Sequence, residues 1–233
     1  MGWRFNPLGW LSACALGCAA PALACDVALV LAVDVSGSVD EDEFNIQMQG
    51  LADGLRDASV SEALVVGEAA VLVLQWTGAS RQRVVVPWTR IETFEDVEVF
   101  ATRVEAAPRV WRNFSTAVGE ALDFAANQFT GVLDCERRVI DVSGDGSSNE
   151  GIDPNDVHPR LHDLDITVNA LVIEGAEPKM TEYFWENVIL GPGAFVITAN
   201  SYEEYPTRMR RKLLREVTKQ ISGDRLDSFP PNL

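Results

Sequence analysis

Two kinds of apolar pattern alternate along this chain. Val27 to Val33 is continuously apolar and closes on Asp34, as expected of a strand buried on both faces. Ala69 to Trp76, Val139 to Val142 and Ile166 to Ile173 are further strands. Between them, apolar residues recur every three or four positions. Phe44, Met48, Leu51 and Leu55 predict a helix over 40–56 whose first turn is acidic. Further helices are predicted over 94–104, 115–129, 155–164, 181–188 and 202–221. After the turn Gly78-Ala79-Ser80, Arg83 to Val86 returns as a strand antiparallel to its predecessor. Gly191-Pro192-Gly193 turns into a last short strand, Phe195 to Ile197. Strands alternating with helices predict an α/β fold: a single doubly wound, Rossmann-like domain. Its central sheet is mostly parallel with one antiparallel edge strand, and helices cover both faces. Ligands of such folds sit beyond the carboxyl ends of the strands.

Residues 1–24 stand apart. They carry one cation, Arg4, and no acid, with an apolar run from Leu8 to Ala20 and an Ala22-Leu23-Ala24 end. That is the pattern of a secretory signal peptide cut before Cys25, and the run is too short to span a membrane comfortably. The expected division is a signal over 1–24, a domain over 25–221 and a flexible tail over 222–233. After cleavage no transmembrane segment remains, and the protein is expected in the periplasm or outside the cell. Cys14 and Cys18 leave with the signal, so Cys25 and Cys135 face an oxidising compartment together. Each precedes an apolar run that leads to an Asp, Asp34 and Asp145. If those runs are neighbouring parallel strands, both sulfurs lie at one end of the sheet and form a disulfide. Two free thiols, or a lipid on Cys25, are the alternatives.

Thirty-five acids against nineteen bases give a formal charge of -16. Such a field repels phosphate backbones and anionic lipids, so nucleic acid and membrane surfaces are poor partners. It attracts divalent cations and basic ligands. One segment offers a cation a place. Asp34-Val35-Ser36-Gly37-Ser38 follows the first strand directly, and an extended chain turns Asp34, Ser36 and Ser38 toward one point. One carboxylate with two hydroxyls is a hard, weakly charged donor set. It suits Mg²⁺ better than zinc. The blander reading is that Ser38 and Asp40 cap the helix that follows.

The D-x-S-x-S segment after a buried strand resembles the metal-ion-dependent adhesion site of von Willebrand factor type A domains. Two further segments carry the same resemblance. Thr116-Ala117-Val118-Gly119-Glu120-Ala121-Leu122 is similar to the family's threonine segment, and Val139 to Gly146 is similar to the strand that ends in its second aspartate. The resemblance covers roughly 26–221. It implies the fold expected above and a metal held by Asp34, Ser36, Ser38, Thr116 and Asp145. Mg²⁺ would be the cofactor, with Mn²⁺ or Ca²⁺ in its place as alternatives. Ser36, Ser38 and Thr116 would bind directly, and the two aspartates partly through water. This chain departs from the pattern before the threonine, where Arg112-Asn113-Phe114-Ser115 replaces a glycine-rich loop, so Ser115 competes with Thr116. VLAVDVSGSVD, VIDVSGDG, GPGAFV and RRKLLRE look more narrowly like a secreted bacterial family without an assigned activity.

Other features have simpler explanations. His158 and His162 share a helical face, but no third metal ligand accompanies them. Arg208, Arg210, Arg211, Lys212 and Arg215 read as the solvated face of an amphipathic helix whose apolar positions are Met209, Leu213, Val217 and Ile221. Asp141 and Ser143 are candidates to orient the metal site, and Ser147, Ser148 and Asn149 to line its rim. Trp76, Trp88, Trp111 and Trp185 read as core or rim aromatics. The glycine-lysine phosphate loop of nucleotide-dependent phosphoryl transfer and the G-x-S-x-G elbow of serine hydrolases are absent from the sequence. The expected function is therefore a non-enzymatic binding module whose partner, a protein, supplies a carboxylate to the metal. An assembly component of an envelope complex and a Mg²⁺-dependent hydrolase are the competing classes.

Overall fold

Strand β1, Cys25–Asp34, is flanked by strands on both sides in a six-stranded sheet of order β3-β2-β1-β4-β5-β6. The computed structural model describes residue 1 and residues 25–132, 134–175 and 177–218. The signal-like segment 2–24 and the tail 222–233 lie outside the described residues. The other strands are β2 Ala70–Trp76, β3 Gln82–Arg90, β4 Cys135–Gly144, β5 Ile166–Ile173 and β6 Val196–Ala199. Only β3 runs antiparallel to its neighbour, at one edge. The expected class holds.

Alternate side chains of β1 explain why its run is apolar throughout. Leu29, Leu31 and Val33 face one core, under α1 (Glu41–Arg56), α2 (Ala58–Val66), α3 (Phe94–Glu105) and α7 (Tyr205–Val217). Ala28, Val30 and Ala32 face a second core, under α4 (Val118–Gln128), α5 (Pro154–Asp163) and α6 (Met180–Asn187). The helix start read at Asp40 is a capping box: its carboxylate accepts from Glu43 N–H, and Glu43 accepts from Asp40 N–H. Helix α2 is absent from the sequence reading. Its apolar residues Val60, Leu64, Val65 and Val66 mark no clear face, and its start depends on the Asp57 side chain accepting from Ser59 and Val60 N–H. Cys25 and Cys135 are register partners on β1 and β4 and form a disulfide.

The basic cluster of α7 needs one correction. Lys212 is fully buried, not solvated. Its ammonium pairs with Asp141 of β4 and lies 2.6 Å from Glu216 Oε1, which also accepts from Asn169 Nδ2 of β5 at 3.2 Å. Asp141 thus serves this cluster, and Arg137 closes it by donating to the Glu216 carbonyl at 2.9 Å. Arg208 and Arg210 pair with Glu204 and Asp57. Two carboxylates around one ammonium leave an excess negative charge in the interior. Burial, then Asp141, raises Glu216 from 4.5 to about 8, against the opposing pull of Lys212. A folded pKa above the unfolded one favours folding fully below about pH 4.5, and that gain is lost as pH rises through 8. Glu216→Gln is therefore expected to remove a fall in stability of up to a few kcal/mol between pH 5 and 8.5. Urea unfolding of both proteins at each pH reads it as a difference, and equal slopes for the two would refute it.

Candidate metal centre

The centre lies beyond the carboxyl ends of β1 and β4, where both strands terminate in an aspartate segment. Asp34 is fully buried, and its Oδ1 accepts from Ser36 N–H at 2.7 Å, turning the chain back as an Asx turn does. Ser36 Oγ and Ser38 Oγ stand 3.1 Å apart. Ser38 Oγ then donates to Asp145 Oδ1 at 2.6 Å, across 107 positions of sequence. The other oxygen of Asp145 accepts from the Tyr202 hydroxyl at 2.9 Å. Gly37 gives its N–H to the Phe114 carbonyl at 2.8 Å, and a Cβ there would stand 3.2 Å from that oxygen. The β1–α1 loop and the threonine segment therefore meet backbone to backbone.

Thr116 is held from the opposite side. Its N–H donates to Asn149 Oδ1 at 3.0 Å, while its carbonyl accepts from Asn149 N–H at 2.9 Å. Ser148 Oγ accepts from Val118 N–H at 3.2 Å as α4 begins. Gly119 makes this possible, because a Cβ would lie 2.2 Å from the Ile152 carbonyl oxygen. A Cβ placed on Gly146 would stand 3.5 Å from Thr116 Oγ1, so that hydroxyl looks onto the Asp145-Gly146 turn. Thr116 is buried; Ser115 is exposed, and its carbonyl accepts from Thr77 Oγ1 at 2.8 Å. The geometry thus brings Asp34, Ser36, Ser38, Thr116 and Asp145 to one end of the sheet.

The electrostatics of this group ask for a cation. Burial first, and then the Asp145 carboxylate, push Asp34 up from 3.8 to about 7, although Ser36 N–H opposes them. Asp34 Oδ2 is buried without a hydrogen-bond partner among the described residues. Two carboxylates that repel each other, one with a buried open oxygen, and three hydroxyls at hand suit a hard divalent ion. Among the described residues no group of three or more His, Cys, Asp or Glu is placed to hold a metal ion, so the hydroxyls are needed to complete the donor set.

Residues 24–221 match the family model described as "Protein of unknown function (DUF1194)". The chain belongs to this family. Among solved structures the DUF1194 chain is similar to a von Willebrand factor type A protein from Catenulispora acidiphila. They share 19% identity and a TM-score of 0.59, over 83% of this chain and 43% of that one. Proximal thread matrix protein 1 of the mussel byssus, solved with a zinc-occupied adhesion-site motif, is 25% identical with a TM-score of 0.62, covering 83% and 48%. The pilus adhesin SpaC from Lactobacillus rhamnosus GG is 14% identical with a TM-score of 0.62, covering 83% and 30%. The chain spans less than half the length of each. No curated protein matches it. Its fold is that of a von Willebrand factor type A domain.

Several residues around the DUF1194 centre carry no sequence signal. Tyr202 stays protonated because burial, then the charges of Asp145 and Asp34, raise its pKa, and so it remains a donor to Asp145. Glu177 accepts from Ser147 Oγ at 2.7 Å and steadies the loop after Asp145. Arg109 reaches beneath the β1–α1 loop. Neither tyrosine nor arginine sits at a spacing that would announce it. The remaining candidates lie elsewhere. His158 faces the Val188 carbonyl at 3.4 Å, and His162 is exposed beside Asp163. Trp111 packs partly buried against the first core, Trp76 is buried, and Trp185 is 60% exposed, outside any core.

Proposed function

We propose that this domain is an exported binding module. It holds one divalent cation, Mg²⁺ in the first instance, through Asp34, Ser36, Ser38, Thr116 and Asp145, and a partner protein completes the coordination with a carboxylate. The observation that carries the reading is the hydrogen bond from Ser38 to Asp145 beside the open oxygen of Asp34, which joins two distant segments around one point. Mn²⁺ and Ca²⁺ have the same preference for oxygen and remain outcomes of the test. The zinc in the mussel protein supports a divalent ion in this fold, and the pilus adhesin supports protein binding as its use. A non-enzymatic role is part of this reading, and the pilus adhesin among the similar structures supports it. Export is supported by the Cys25–Cys135 disulfide. Among the described residues no helix is long and apolar enough to cross a membrane.

Affinity capture from the source organism tests it, run with Mg²⁺, with chelator, and with an Asp145→Ala bait. A protein partner held in Mg²⁺ and released in both other arms is the expected result. A partner that stays in chelator, or a captured small molecule that is turned over, would overturn the reading.

A further inference from the structure

Arg109 lies between α3 and the threonine segment, and its guanidinium is committed to main-chain carbonyls. Nη2 donates to Val39 O at 2.6 Å, Ser36 O at 3.0 Å and Val35 O at 3.2 Å. Nη1 donates to Asp40 O at 3.1 Å, and Nε to Trp111 O at 2.9 Å. Four of these five acceptors belong to residues 35–40, the loop that carries Ser36 and Ser38. All five of these hydrogen bonds go to main-chain carbonyls, while the charge of Arg109 also acts on the Asp34 and Glu41 carboxylates nearby. The Phe44 ring flanks it at 5.9 Å.

The loop has bonds of its own, from Gly37 N–H to Phe114 O, from Val39 N–H to Ser36 O and from Ser38 Oγ to Asp145, but four of its carbonyls converge on the single side chain of Arg109, beside two repelling carboxylates. The guanidinium offers five donors in a fixed planar fork, whereas an ammonium offers three from one point on a flexible stem, so the fork can hold carbonyls spread over several residues in one geometry. We infer that Arg109 is a positioning residue for the metal centre: it holds residues 35–40 in their ligating shape before any cation arrives. The inference rests on the cation-binding reading above. It makes the site preformed, with the ordering of the loop built into folding and not drawn from the metal. Arg109 also reaches the approach to Thr116. Arg109 ties Trp111 of that approach to the β1–α1 loop through one side chain.

Two variants, Arg109→Lys and Arg109→Gln, test this with two measurements on the mature protein. The first is amide hydrogen exchange without metal. Protection of residues 35–40 is expected to fall about tenfold or more in both variants, with the amides of β4, β5 and α4 unchanged. The second is calorimetric titration with Mg²⁺, Mn²⁺ and Ca²⁺, where affinity is expected to drop on the order of 10- to 100-fold, as when groups supporting metal ligands are removed. Arg109→Lys retains the charge, so a loss there assigns the effect to the fork. Wild-type affinity in the variants overturns the inference, and so does a loss of protection that spreads into the core strands, which would make Arg109 a general fold stabiliser. A wild-type protein that binds none of the three cations overturns the metal reading, and this inference with it. That outcome is distinguishable because it appears before any substitution is made.

Discussion

Asp34→Ala is expected to abolish the rise in melting temperature that Mg²⁺ gives the wild type. A ligand that binds only the folded state stabilises it by mass action, by about 2.7 kcal/mol at a hundred times its dissociation constant. For a domain of this size each kcal/mol moves the midpoint by about 2–4 °C, so the wild-type rise is on the order of 5–10 °C. Removing Asp34 takes away one of the two charged ligands, and the variant's midpoint should not respond. Its apo stability should stay within about 1 kcal/mol of wild type, because two effects oppose each other. The bond from Ser36 N–H is lost, at a cost near 1 kcal/mol. Against that, a fully buried carboxylate repelled by Asp145 disappears. Ser38→Ala keeps both aspartates and should show a reduced rise. A thermal-shift titration of the three proteins with Mg²⁺, Mn²⁺ and Ca²⁺ after chelation decides it. A wild-type response in Asp34→Ala would place the cation elsewhere.

The parts of this centre that were legible in the sequence are those whose spacing is dictated by the strand. Asp34 and Asp145 each follow an apolar run, but the extended chain expected through Ser36 and Ser38 is instead a turn, closed by Ser36 N–H on Asp34 Oδ1, and that turn is what brings the two hydroxyls beside the aspartate. Thr116 was read ahead of Ser115 from the motif alone; what buries Thr116 and leaves Ser115 exposed is Asn149 gripping Thr116 from another loop, which no spacing reveals. Arg109 and Tyr202 were silent for the same reason. One acts on main-chain oxygens, which every residue possesses, and the other reaches Asp145 across 57 positions. Strand boundaries were read too narrowly where charged residues continue the ladder. β4 begins at Cys135, but Glu136, Arg137 and Arg138 hide its start. Helix α7 shows how a correct period can mislead. Met209, Leu213 and Val217 gave the buried stripe, yet Lys212 and Glu216 lie on the same face three residues after Met209 and Leu213. Lys212 was read as solvated with the arginines around it, as the cost of burying a single charge suggests. The acid on β4 that offsets that cost is invisible without the fold.

Removing the Cys25–Cys135 bridge is expected to destabilise the domain by about 4–5 kcal/mol. The two residues open neighbouring central strands in register, with their Cα atoms 4.4 Å apart and a sequence separation of 110. A cross-link that closes so long a loop removes much of the freedom of the unfolded chain, and the chain-entropy relation gives about that figure for about a hundred residues. The native sheet needs little from the bond. β1 and β4 remain paired from Val27 onward by their own ladder, so the double variant Cys25→Ala, Cys135→Ala should keep its fold and its response to Mg²⁺. Its melting point should fall on the order of 10–15 °C. Reductant should bring the wild type close to the same value, since both treatments release the same loop. The bond also uses the sulfur that a lipid on Cys25 would need, so the two exclude one another. Non-reducing mass spectrometry of protein taken from its own compartment settles which is present. Two free thiols, or a lipid on Cys25, would show that the bridge does not form in the cell, and the stability difference between wild type and double variant would then vanish.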